Sequence, residues 1–130
     1  MRNTFNCLFI FCVSFLTACG GGGGGGVTAA SSITLQGVAA TGAAISGGTV
    51  DVKCKNGTGT ATTNADGTYT VTVADGAQPC ILRAVDPVTK IQLFSIVEAG
   101  GTTANITPVT SLVVANTLGD SPSTSFASFS

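Results

Sequence analysis

The chain has 130 residues, with five Lys and Arg against six Asp and Glu, no His, and a formal net charge of −1. Charged residues make up 8% of it, against about a quarter in ordinary globular chains. A near-zero charge argues against a nucleic-acid binder, which would need a basic face to meet phosphates. The lack of His excludes Ser-His-Asp and Cys-His catalysis and any His-ligated metal. The length allows one small domain.

Met1-Arg2-Asn3 carries one positive charge and is followed by the almost wholly apolar segment Phe5 to Leu16. A dozen apolar residues is short of the roughly 20 that a membrane-spanning helix needs. A short apolar run behind a basic start reads as a secretory signal peptide. It ends in Leu16-Thr17-Ala18-Cys19, which resembles the lipobox of bacterial lipoproteins. The resemblance implies that residues 1–18 are removed and that Cys19 carries the lipid as the first mature residue. Two or more acyl chains, at about 0.8 kcal/mol per buried CH₂, hold a protein stably on a membrane. Gly20 follows where Asp commonly signals inner-membrane retention, so the resemblance points to the outer membrane of a Gram-negative envelope.

The run Gly20 to Gly26 leads through Val27 to Ser32. A phosphate loop would need a following Lys-Ser or Lys-Thr, and Val27-Thr28 stands there instead. Residues 19–32 therefore read as the lipidated Cys and a flexible tether of roughly 20 Å r.m.s. span.

Of the five Cys, Cys7 and Cys12 leave with the signal and Cys19 is taken by lipid. Cys54 and Cys80 remain as an even pair in an oxidising compartment. A disulfide between them closes a loop of about 27 residues, worth about 3.5 kcal/mol in the chain-entropy account. Their spacing is not Cys-x-x-Cys, which speaks against a redox or metal site.

From Ile33 onward the pattern is that of short strands. Val50, Val52 and Cys54 alternate with polar residues, as do Tyr69, Val71 and Val73. Ile33–Gly37, Thr60–Asn64, Ile81–Val85 and Ile91–Val97 are further candidates, rich in residues that suit a pleated surface. Asn56-Gly57, Asp66-Gly67, Asp75-Gly76 and Asp86-Pro87 supply turn chemistry. The Asp66-Gly67 turn is expected to make a hairpin of Thr60–Asn64 and Thr68–Val73. Turn signals at this spacing predict an all-β fold, a small antiparallel β-sandwich over residues 33–107. No long amphipathic helix is available to cover a sheet, so the two inner faces must cover each other. The expected core is Val50, Val52, Tyr69, Val71, Val73, Leu93 and Phe94, with either Ile81 or Leu82 facing inward.

Two stretches carry a second resemblance. Gly37 to Val50, with its Gly42 and Gly47-Gly48 loop, is similar to the opening of carboxypeptidase regulatory-like domains. Thr62-Thr63-Asn64-Ala65-Asp66-Gly67-Thr68-Tyr69 is similar to their second signature. Ala44, Gly48 and Asn64 depart from the usual Pro, Ala and Asp. The resemblance implies a transthyretin-like, Ig-like or prealbumin-like sandwich over about residues 33–98, and no activity, since the catalytic residues of carboxypeptidases lie in another domain.

Beyond Gly101, Thr107 is placed to cap a short helix at 108–119, with Pro108 in its first position and Gly119 at its end. Val109, Leu112 and Val113 have helical spacing. Asn105 to Thr110 is similar to a segment that follows such sandwiches in some bacterial lipoproteins. Residues 120–130, rich in Ser, read as a disordered tail, with Phe126 and Phe129 lacking a partner. The chain is either a genuine short protein or a truncated member of a longer lipoprotein family.

Candidate chemistry is sparse. Asn64, Asp66 and Thr68 alternate somewhat like a calcium loop, but one acid is too few for calcium. The acids at 51, 66, 75, 86, 98 and 120 form no evident pair. A Ser-Lys dyad at Lys53, Lys55 or Lys90 is conceivable, while Lys53 and Lys55 beside Cys54 read more simply as a solvated strand face. No cofactor and no metal site are expected. The reading is a non-catalytic binding or structural module, tethered to the membrane by its lipid, with an envelope protein or glycan as partner. An envelope-attached enzyme or enzyme inhibitor is the alternative. The expected binding surface is the Gly42–Gly48 loop together with the Ala74–Pro79 loop.

Overall fold

The computed structural model describes residues 31–130. The signal segment, Cys19 and the Gly run lie outside the described residues. Six strands follow in order: β1 (Ile33–Val38), β2 (Thr49–Asn56), β3 (Thr58–Thr62), β4 (Thr68–Val73), β5 (Ala77–Val85) and β6 (Gln92–Val97). Two short helices close the chain, α1 (Pro108–Leu118) and α2 (Pro122–Ser128). The strands form two antiparallel sheets, β1-β4 and β3-β2-β5-β6.

The alternation expected in β2 and β4 is present and sets the core. Val50, Val52 and Cys54 point inward from β2, and Tyr69, Val71 and Val73 from β4. Leu35, Leu82, Ala84, Leu93 and Val97 complete a cluster shared by both sheets. Burial of side chains of this size stabilises by about 1.5–3 kcal/mol each.

The small sheet gains a third member. Residues 103–106 run parallel to β1, with bridges Gln36↔Thr103 and Ala39↔Ile106. The backbone bonds run from Ala104 N–H to Gln36 O at 2.8 Å and from Ile106 N–H to Val38 O at 2.8 Å. Gly37 makes this approach possible, because a Cβ there would lie 2.0 Å from Ala104 O. The Tyr69 hydroxyl donates to the same carbonyl from β4.

The larger sheet is covered on its outer face as well, which departs from a simple sandwich. Ile81 and Phe94 point outward and pack with Val114 of α1 and Phe126 of α2. Phe94 thus belongs to this second core and not to the one between the sheets. The question of Ile81 against Leu82 is resolved by both being buried, on opposite faces.

Helix α1 starts and stops where Thr107, Pro108 and Gly119 place it. Thr107 and Thr110 form a reciprocal cap, and Gly119 takes the left-handed conformation at φ 69°. Its inward residue is Val114, whereas Val109, Leu112 and Val113 face solvent. Hydroxyls attach it to the outer edge of the sheet: Ser111 Oγ accepts from Phe94 N–H at 2.8 Å, and Thr110 Oγ1 donates to Phe94 O at 2.8 Å. The free backbone of an edge strand is thereby satisfied.

Two expectations are corrected. Residues 120–130 are not a structureless tail, because 122–128 form α2 with Ser121 as N-cap and Pro122 in its first turn. The physical reason is Phe126, which finds an apolar floor on the sheet, and Phe129, which is partly buried against the same cluster; both were expected to lack a partner. The Asp66-Gly67 turn forms, with Gly67 N–H bonded to Asn64 O at 3.0 Å. Yet β3 and β4 do not pair as a hairpin. They join different sheets, so the turn is a corner between layers.

Candidate functional site

The polar side chains that converge do so on the outer face of the larger sheet. In β2 the residues between the buried ones, Asp51 and Lys53, point away from the inter-sheet core. The register sets Asp51 opposite Arg83 and Lys53 opposite Ile81. Arg83 Nη2 and Asp51 Oδ2 form an ion pair at 2.6 Å, with the side chains 32% and 29% exposed. At that exposure the pair contributes little to stability, about 0–1 kcal/mol. Thr60 Oγ1 of β3 adds a bond to Asp51 Oδ1 at 3.2 Å.

Phe126 stands against these charges. The Arg83 guanidinium carbon lies 4.7 Å from its ring centroid and Lys53 Nζ lies 5.3 Å from it. Cation–π contacts of this kind add about 0.5–1 kcal/mol each near a surface. Lys53 Nζ also donates to Ala127 O at 2.9 Å. Beneath, Phe94 meets Phe126 with ring centroids 6.1 Å apart at a tilt of 56°. Between Phe126 and β3 opens a cleft of about 470 Å³, with Asp51, Lys53, Thr58, Thr60 and Arg83 on its walls. The Arg83 Nε is buried there with no hydrogen-bond partner.

Cys54 and Cys80 are directly opposed on the inner face, both buried. Their sulfurs are at bonding distance, 2.05 Å, and their Cα atoms 3.9 Å apart. Cys54 N–H is turned to Gly57 O at 3.0 Å. The pair therefore faces β5 from a position without ladder bonds, where cross-strand side chains are closest. Cys19 lies outside the described residues.

The two loops expected to form one surface lie at opposite ends of the molecule. The Gly42–Gly48 loop sits at the end of β1, where Thr63 N–H bonds Gly48 O at 2.9 Å and Ala39 N–H bonds Gly67 O at 2.9 Å. The Ala74–Pro79 loop sits at its start, where Asn56 Nδ2 donates to Asp75 O at 2.6 Å. The antiparallel course of β1 and β4 forces this separation.

The remaining charged groups serve the turns. Asp66 accepts from the backbone and hydroxyl of Thr68, at 3.0 and 2.6 Å. The Thr68 hydroxyl, then its backbone N–H, hold the Asp66 carboxyl below its ordinary pKa. Asp86 is lowered likewise by the N–H groups of Val88 and Thr89. Lys90 Nζ donates to Pro87 O at 2.7 Å, and Lys55 is exposed. Lys53, read from sequence as part of a solvated face, is half-buried beside Phe126. Among the described residues no three His, Cys, Asp or Glu side chains cluster to hold a metal ion.

The clamp of Arg83 and Lys53 around Phe126 was not read from the sequence, although half of it was within reach. If Cys54 faces Cys80 in an antiparallel pair, the same register sets Asp51 against Arg83. Phe126 gave no comparable signal. Compared with protein-family models and with curated proteins, the sequence matches none.

Proposed function

We propose that the chain is a membrane-tethered, non-catalytic module of the bacterial cell envelope, lipidated at Cys19 and held at the outer membrane. The observation that carries this reading is Leu16-Thr17-Ala18-Cys19 behind an apolar run and ahead of Gly20 to Gly26. A lipid on Cys19 fixes one end, and the Gly run lets the following domain move about that anchor. The partner is an envelope protein or glycan. We assign the two facing sheets to the transthyretin-like type of sandwich on the two sequence signatures alone.

Six of the charged side chains are held by partners within the fold. Asp51 and Arg83 are committed to each other, Lys53 and Lys90 to backbone carbonyls, and Asp66 and Asp86 to turns.

Labelling cells with radioactive palmitate tests the anchor. Wild-type chain takes up label and fractionates with the outer membrane, and Cys19→Ala does neither. Equal labelling of the two removes the anchor. Capture of envelope components by the full chain, beside a screen with peptide, ester and glycan substrates, tests the rest. Turnover abolished by one substitution overturns the non-catalytic assignment.

A further inference from the structure

We propose that the slot holding Phe126 is a recognition site for a peptide C-terminus ending in an aromatic residue, and that α2 occupies it in the free chain. Helix α2 has seven residues and buries one of them, Phe126. A helix this short has no stability of its own. It is seated by the Phe126 side chain, by the partly buried Phe129 just after it, and by the bond from Lys53 to Ala127 O. Such a seat can be exchanged for a competing group of the same chemistry.

The slot specifies that chemistry. Its floor is Ile81, Phe94 and Val114, and its flanks are the cations of Arg83 and Lys53. The residues that dominate binding energy at interfaces are enriched in aromatic side chains and Arg. Two cations against one carboxylate, Asp51, leave a net positive charge, which α2 meets with the Ala127 carbonyl alone and no acidic residue. The Arg83 Nε is buried without an acceptor while Phe126 is docked. A terminal aromatic residue carries its carboxylate a few ångströms from its own ring, on the scale of the 4.7 Å between Arg83 and Phe126. It would fill the floor and supply the acceptor that Arg83 lacks. The cleft of about 470 Å³ toward Thr58 and Thr60 has room for the residues before it, within the usual range of ligand sites.

This site rests on the reading of the chain as a binding module and can fail without it. The test uses the full chain in mild detergent and fluorescein-labelled Gly-Ser-Gly-Phe with a free carboxylate, followed by anisotropy. Docked α2 lowers the apparent affinity by the fraction of slot left open. Ser121→Ala removes the N-cap of α2 from an exposed position outside the slot, so binding should tighten about tenfold. Phe126→Ala should do the same. In the Ser121→Ala chain, Arg83→Met or an amidated probe should weaken binding about tenfold. No binding to any variant, equal binding of the amide, or no gain in Ser121→Ala overturns the site. Should Phe126→Ala fail to fold, Ser121→Ala decides. If Arg83→Met still captures every envelope partner of the wild type, the slot is refuted and the tethered module stands.

Discussion

Ile81 and Leu82 are neighbours in β5 and bury themselves in opposite cores. Leu82 lies between the two sheets with Val52 and Leu93, while Ile81 lies under the helices with Phe94, Val114 and Phe126. Truncation of either to Ala should cost about 2–5 kcal/mol. The two differ in what loosens first. Ile81→Ala should strip hydrogen-exchange protection from residues 122–128 ahead of global unfolding, and Leu82→Ala should not. Equal protection of that helix in both variants would contradict the two-core arrangement.

The Cys54–Cys80 pair joins β2 to β5 at a sequence separation of 26. Replacing both by Ala should lower stability by about 2–4 kcal/mol, as loss of a loop of that length implies. Urea unfolding of wild type with and without reductant provides the check, the reduced wild type falling toward the double variant.

Gly37 is where two backbones come closest. An added Cβ would meet Ala104 O at 2.0 Å and Ala104 C at 2.6 Å, both backbone atoms that cannot swing aside. Gly37→Ala should therefore displace residues 102–106 from β1, at a cost of about 3 kcal/mol or more. Retained protection of the Ala104 and Ile106 amides in the variant would show that the strand tolerates the methyl group.

Stability should fall at both pH extremes, for different groups. Burial raises the Tyr69 hydroxyl above its ordinary 10.0. The unfolded chain then loses its proton first, so stability is full below about pH 10 and declines above it. Tyr69→Phe should remove that alkaline decline and, through the lost bond to Ala104 O, cost about 1 kcal/mol at neutral pH. The sign reverses for Asp66 and Asp86, whose folded values are lowered. Their contribution is present above the ordinary 3.8 and is lost as pH falls through the folded values. Thermal melts across the pH range, repeated for Asp66→Asn with Asp86→Asn, should show the acid slope flattened in the double variant alone.

Local chemistry was enough to place many of these elements. Val50, Val52 and Cys54 declare the inner face of β2 by alternation, and Thr107-Pro108 with Gly119 bracket α1. A like start, a hydroxyl residue before Pro, was present at Ser121-Pro122, where a Ser-rich composition masked it. Cys54 and Cys80 are the two Cys that follow Cys19 in the sequence, so they read as one pair.

Backbone period and capping residues act within a few positions of chain, so the sequence by itself determined which faces of β2 and β4 are apolar, where α1 starts and ends, and which cysteines meet. It could not determine which sheet a strand joins. A period of two names the face of a strand and leaves its neighbour open, so β3 and β4 could be read as one hairpin and are in fact parted between layers. Tertiary structure alone decided that 103–106 pairs beside β1, because Gly37 offers space that shows only when the partner backbone is there. It alone decided that Phe126 sits between Arg83 and Lys53, because a single aromatic at the end of a short helix is held by the surface it meets and not by its own segment.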